Sequence, residues 1–72
     1  MLIYTVHARK RMLERRITEE EVDYCLENYH TLYTDAAGNP IYRADLPSGR
    51  RIKVVLAAGT AEPRTVITVA DY

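Results

Sequence analysis

The stretch Thr18-Glu19-Glu20-Glu21-Val22-Asp23-Tyr24-Cys25-Leu26-Glu27-Asn28-Tyr29-His30-Thr31-Leu32-Tyr33-Thr34 changes its period half-way, and that change sets the fold class. Thr18 and Glu21 have capping-box spacing. The threonine hydroxyl accepts from the backbone of Glu21, the Glu21 carboxylate reaches back, and three acids in a row suit the positive end of a helix. Ile17 and Val22 can form a hydrophobic staple across that start, and Val22, Cys25, Leu26 and Tyr29 recur at helical spacing as a core stripe. After Asn28 the pattern becomes β-prone at Thr31–Thr34.

Working outward, Thr5 is a fair N-cap, and Val6 to about Arg16 holds no Gly or Pro, so a first helix is expected there. Beyond the second helix, turns at Ala37-Gly38-Asn39-Pro40, Pro47-Ser48-Gly49 and Gly59-Thr60-Ala61-Glu62-Pro63 separate β-prone runs at Ile41–Leu46, Arg51–Ala57 and Thr65–Ala70. Short successive hairpins imply an antiparallel meander. The expected fold is α+β: two N-terminal helices on one face of a three- or four-stranded antiparallel sheet, in a single domain spanning residues 1–72. Alternation then assigns faces. Tyr42, Ala44, Leu46, Ile52, Val54, Leu56, Ile67 and Val69 turn to the helices, while Ile41, Arg43, Asp45, Arg51, Lys53, Val55 and Thr68 form the open face.

Composition bounds what such a chain can do. Seventy-two residues sit near the size at which one core only just outweighs the entropy of ordering it, and all six aromatics are Tyr. So lean a core would gain from a homodimer or a bound partner. The formal net charge is zero, which removes the argument from a uniformly basic surface. The charges are nevertheless segregated. Arg9, Lys10, Arg11, Arg15 and Arg16 crowd the first helix, and Glu19, Glu20, Glu21, Asp23 and Glu27 crowd the second. Mutual attraction of the helices is the commoner meaning of that pattern. The lone Cys25 permits no intrachain disulfide and lies on the buried stripe. No run approaches the ~20 apolar residues of a membrane span, and Met1-Leu2-Ile3-Tyr4 is too short for the apolar part of a signal peptide. A cytoplasmic location without membrane association is expected.

His7 belongs to a side chain type that titrates near neutrality, and Arg11 and Arg15 follow it one and two helical turns on, with planar forks suited to phosphate. The plain alternatives are a histidine hydrogen-bonded at a helix start or partly solvated, and arginines paired with Glu14 or the acidic helix. Arg43, Arg51 and Lys53 project from adjacent strands as phosphoryl chemistry requires, or as solvated charges do. Thr68 and Tyr72 can donate hydrogen bonds to phosphate, and Tyr29, Tyr33, Tyr42 and Tyr72 can stack on bases or close the edges of a small core. His7, His30 and Cys25 lack the spacing of metal ligands, so neither metal nor cofactor is expected.

The segment Thr5-Val6-His7-Ala8-Arg9-Lys10-Arg11-Met12-Leu13-Glu14-Arg15-Arg16-Ile17-Thr18, followed by Glu21-Val22, resembles the opening of the bacterial family numbered 4258 among domains of unknown function, with its pattern T-x-H-A-x-x-R-M-x-x-R-x-I-[ST] and a following E-V. The likeness continues through Val66-Ile67-Thr68-Val69. That family looks related to the RelE-like ribonuclease toxins of the barnase, EndoU, colicin E5 and RelE-type fold. The resemblance implies metal-independent RNA cleavage by attack of the 2′-hydroxyl, with RNA as substrate and an antitoxin or other small protein as partner. Carried over by position, His7, Arg11, Arg15 and Thr68 are the residues of interest, joined by Lys53, Arg43, Arg51 and Tyr72. The competing expectations are a non-catalytic protein-interaction module and an RNA binder that does not cleave.

Overall fold

A computed structural model describes residues 2–59 and 62–72. The chain runs β1 (Leu2–Tyr4), α1 (Val6–Arg15), α2 (Glu19–Glu27), β2 (Thr31–Thr34), β3 (Pro40–Asp45), β4 (Arg51–Leu56) and β5 (Arg64–Asp71). The strands form one sheet in the order β1-β5-β4-β3-β2. The α+β class and the two helices agree with the sequence, but the sheet has five strands and is mixed. The meander β2 to β5 is antiparallel, whereas β1 lies parallel to β5, with Leu2 opposite Arg64 and Tyr4 opposite Val66. Three residues are too few to show a period, and their partner lies at the far end of the chain, so the strand left no local mark.

Both helices begin as the side chains dictate. Thr5 accepts from the Ala8 amide and donates its hydroxyl to the Ile67 carbonyl, so one side chain caps α1 and fastens it to β5. Thr18 and Glu21 form the full capping box. Arg16 ends α1 in the left-handed region (φ 53°) without being glycine, a conformation costly for a residue with a Cβ. Two features oppose that cost. The amide of Ile17 bonds to Met12 O at 2.9 Å, and the Arg50 guanidinium donates to the carbonyls of Arg15 and Arg16. Arg50 also reaches Asp71 Oδ1 at 3.1 Å and stands 3.8 Å from Glu21 Oε1, tying the end of α1 to the start of α2 and the end of β5.

Ala8 and Met12 of α1, Ile17, and Val22 and Cys25 of α2 pack on Tyr42, Ala44, Leu46, Ile52, Val54, Leu56, Val66 and Val69. Two expectations need correcting. An irregularity between Val55 and Leu56 advances the register of β5 by one residue, so Val66, opposite Leu56, takes the core position expected for Ile67. Tyr29 lies beyond the end of α2 and is 44 % exposed, its ring set edge-on against Tyr42 at 5.0 Å rather than inside the core. Tyr42 itself is buried, with its hydroxyl accepting from Arg64, and is no base-stacking platform. The turn expected at 59–63 lies partly outside the described residues. No described helix is long and apolar enough to cross a membrane.

Candidate functional site on the open sheet face

The strand register lays out the open face row by row. Thr31, Arg43, Lys53 and Ala70 stand opposite one another across β2, β3, β4 and β5. On one side of this row is Asp45 beside Arg51, and on the other is the row of Tyr33, Ile41, Val55 and Thr68. Ile41 and Val55 are buried although they lie outside the helix-covered core, so the open face has a small apolar floor of its own.

Polar contacts draw one end of this face into a cluster. The Arg43 guanidinium lies over the Tyr72 ring, 3.7 Å from its centroid, close enough for a cation–π contact. The Tyr72 hydroxyl is 2.9 Å from His30 Nε2, and that nitrogen is 3.4 Å from Asp45 Oδ1. The other ring nitrogen, His30 Nδ1, is 2.7 Å from Thr31 Oγ1. Asp45 Oδ1 also lies 3.6 Å from Arg51 Nε. The Arg43 Nε is buried without a hydrogen-bond partner, so Arg43 is held by stacking and keeps donor capacity in reserve. Lys53 is half-buried and, among the described residues, in no ion pair. The main chain fixes the arrangement: His30 N donates to Arg43 O at 2.9 Å, and Tyr72 N donates to Arg51 O at 3.3 Å.

The expected site residues therefore fall into two groups. Arg43, Lys53, Arg51 and Tyr72 come together, with Thr68 one row away. His7, Arg11 and Arg15 form a stripe on α1, and among the described residues no hydrogen bond or ion pair joins that stripe to the open-face cluster. His7 is exposed on the first turn, with neither ring nitrogen hydrogen-bonded to the described residues. Arg11 approaches Glu14 at 3.7 Å, the plain pairing anticipated for it, while its Nε is buried and unpartnered. Arg15 lends its carbonyl to Arg50 and leaves its side chain exposed. The remaining positions that carry the resemblance serve the fold: Thr5 and Thr18 cap, Ala8, Met12, Ile17 and Val22 fill the core, and Glu21 closes the box.

Sequence reasoning missed His30 as a member of the site. It stands between a helix and a strand, where no period operates, and its partner Tyr72 is 42 residues away. A usable signal existed, because alternation puts Arg43 and Asp45 on the open face and a residue just ahead of β2 abuts that row.

Elsewhere, burial pushes the Cys25 thiol up to about 11, and its sulfur lies 3.5 Å from the Tyr42 carbonyl, in keeping with an inert core cysteine. Loss of hydration raises the Tyr4 phenol, with Glu19 and Asp23 adding to the effect. Among the described residues no group of three or more His, Cys, Asp or Glu side chains is placed to hold a metal ion.

No curated protein and no solved structure matches the chain. A family model does, over residues 4–71, and the chain belongs to that family, described as Domain of unknown function (DUF4258).

Proposed function

We propose that the open face binds RNA through its phosphates and cleaves it without metal, the 2′-hydroxyl attacking the adjacent phosphorus. The observation that supports this reading most is the pairing of Arg43 with Lys53 across β3 and β4, with Tyr72 stacked on Arg43 and Arg51 one pair away. Cations fixed on a rigid sheet oppose the charge that builds on the non-bridging oxygens as phosphorus is attacked. The hydroxyls of Thr68 and Tyr72 can orient the phosphate, and the stripe of Arg11 and Arg15 offers a second place for the strand's backbone. His7, exposed beside that stripe, is one candidate for moving the proton. A relationship to the RelE-like ribonucleases, with an antitoxin or other small protein as partner, forms part of this proposal.

The test is incubation of the purified protein with mixed cellular RNA in chelator, reading fragments and their ends. Cyclic-phosphate ends are expected, and Arg43→Gln with Lys53→Gln should lower the rate at least about 100-fold, since each removes charge stabilisation worth one to two powers of ten. Cleavage unaltered by the double substitution would remove the open face from the reaction. Binding that falls steeply with salt but yields no product would leave an RNA binder.

One observation favours a second reading, a non-catalytic interaction module. Val6 and Leu13, seven residues apart on α1, are 88 % and 82 % exposed, and Leu13 lines a groove of about 520 Å³ together with Met12 and Ile17, rimmed by Arg9 and Arg16. An apolar stripe of this kind on a solvated helix suits a protein partner. A folded protein without ribonuclease activity would shift the weight to this surface.

A further inference from the structure

We propose that His30, and not His7, drives proton transfer on the open face, acting through the Tyr72 hydroxyl and supported by Asp45; this relay rests on the ribonuclease reading above. Two polar groups converge on one ring nitrogen of His30. Tyr72 Oη is 2.9 Å from His30 Nε2, and Asp45 Oδ1 is 3.4 Å from the same nitrogen. We place the ring proton on Nδ1, 2.7 Å from Thr31 Oγ1, which leaves Nε2 its lone pair to accept from the phenol. That is the tautomer in which an imidazole draws a proton out of a hydroxyl. When the proton arrives, the ring becomes cationic, and the Asp45 carboxylate, 3.4 Å from the same nitrogen, stabilises that charge.

The setting makes the relay specific. His30 stands ahead of β2, Arg43 and Asp45 come from β3, Arg51 and Lys53 from β4, and Tyr72 follows β5. Four charged groups and one phenol thus face or flank a single imidazole. Arg51 shares Asp45 with His30, holding the carboxylate in place. Arg43, stacked on the Tyr72 ring, puts a cation beside any negative charge forming on the phenol. The His30 side chain is 45 % exposed, open enough to return its proton to solvent.

The step balances without a co-reactant. The 2′-hydroxyl gives its proton to Tyr72 Oη as Tyr72 gives its own to His30 Nε2. The 2′-oxygen bonds to phosphorus, the bond from phosphorus to the 5′-oxygen breaks, and that oxygen takes a proton from water. The proton later shed by His30 neutralises the hydroxide so formed. The products are a 2′,3′-cyclic phosphate and a 5′-hydroxyl, with no net uptake of protons and no change of oxidation state. Tyr72 touches the reacting atoms; His30 and Asp45 are positioning residues.

The experiment is single-turnover cleavage of a short oligoribonucleotide in chelator across pH 5 to about 9, covering the range in which an imidazole titrates. His30→Ala, His7→Ala, Tyr72→Phe and Asp45→Asn are compared with the unaltered protein. His30→Ala should lower the rate at saturating substrate about 100-fold, with KM changed less than about threefold, and should abolish the rise of rate with pH on the acid side. Added imidazole should restore part of the loss in His30→Ala and none in Tyr72→Phe. If the acid limb disappears in His7→Ala and persists in His30→Ala, the relay is overturned while the ribonuclease reading stands. If the unaltered protein cleaves nothing, both fall. A 2′-O-methyl oligonucleotide, which cannot cyclise, then separates the cases: movement of the His30 and Tyr72 ring resonances on its addition marks a face that binds RNA, and no movement excludes even that.

Discussion

The two faces of the sheet are built by different rules. On the covered face, all but a position such as Val66, set by the register shift against Leu56, follow from neighbours in sequence, since alternation along a strand and the three-to-four spacing along a helix both act within a few positions. On the open face, the polar cluster is assembled from four segments, and its central contact joins residues 42 apart. A core tolerates many sequences of the right pattern, whereas a polar cluster depends on particular atoms meeting. The first is therefore legible by period and the second only by register.

Adjacent residues of β4 put that contrast to its sharpest test. Ile52 is fully buried toward the helices and Lys53 points the other way. Ile52→Ala should cost about 2–5 kcal/mol in chemical denaturation, and Lys53→Ala should stay within about 0.5 kcal/mol while weakening RNA binding. Equal costs at the two positions would mean that the open face is a second structural core. A smaller effect separates the faces by their access to water. Burial raises the Cys25 thiol from the ordinary 9.0 to about 11, so folding keeps the proton that the unfolded chain sheds. The sign is that of a raised group: the stabilisation is whole below pH 9 and declines as pH rises toward 11, by on the order of 2 kcal/mol. The difference in stability between the natural chain and Cys25→Ala, followed from pH 8 to about 11, should narrow accordingly. A constant difference would show that water reaches the thiol.

The smallest expected change concerns the border between the faces. Arg50→Met removes the donors that hold the Arg15 and Arg16 carbonyls and Asp71, and should cost about 1–2 kcal/mol, part of it from the left-handed turn left without support. Arg50→Lys should recover less than half, because one ammonium cannot replace a fork that serves two carbonyls and a carboxylate. Full recovery would mean that only charge matters there.

How far the sequence could be read follows the same division. Thr18 and Glu21 announced α2, and the faces of β3 and β4 came out residue for residue, because capping and alternation are local. Leu2–Tyr4 went unread as a strand, since its pairing rests on Arg64–Val66. Ile67 was assigned to the core in error, because an unbroken alternation cannot register an extra residue set by the partner strand. Arg43, Arg51 and Lys53 were singled out by charge on adjacent strands, and the register placed them together. His30 and Arg50 were passed over, each lying between elements with its partners elsewhere in the chain.

The bond from Thr5 to Ile67 spans 62 residues, and its meaning is clearest in time rather than in space. Closing a loop of that length costs about 4 kcal/mol before the contact returns anything. On the ribosome, β1 leaves the exit tunnel long before the strand that receives it. The helices and the β2–β4 meander can gather first from short-range contacts, while Leu2–Tyr4 waits unpaired with its backbone donors and acceptors open. In the order of synthesis, then, Leu2–Tyr4 cannot take up its pairing until Arg64–Val66 has been made.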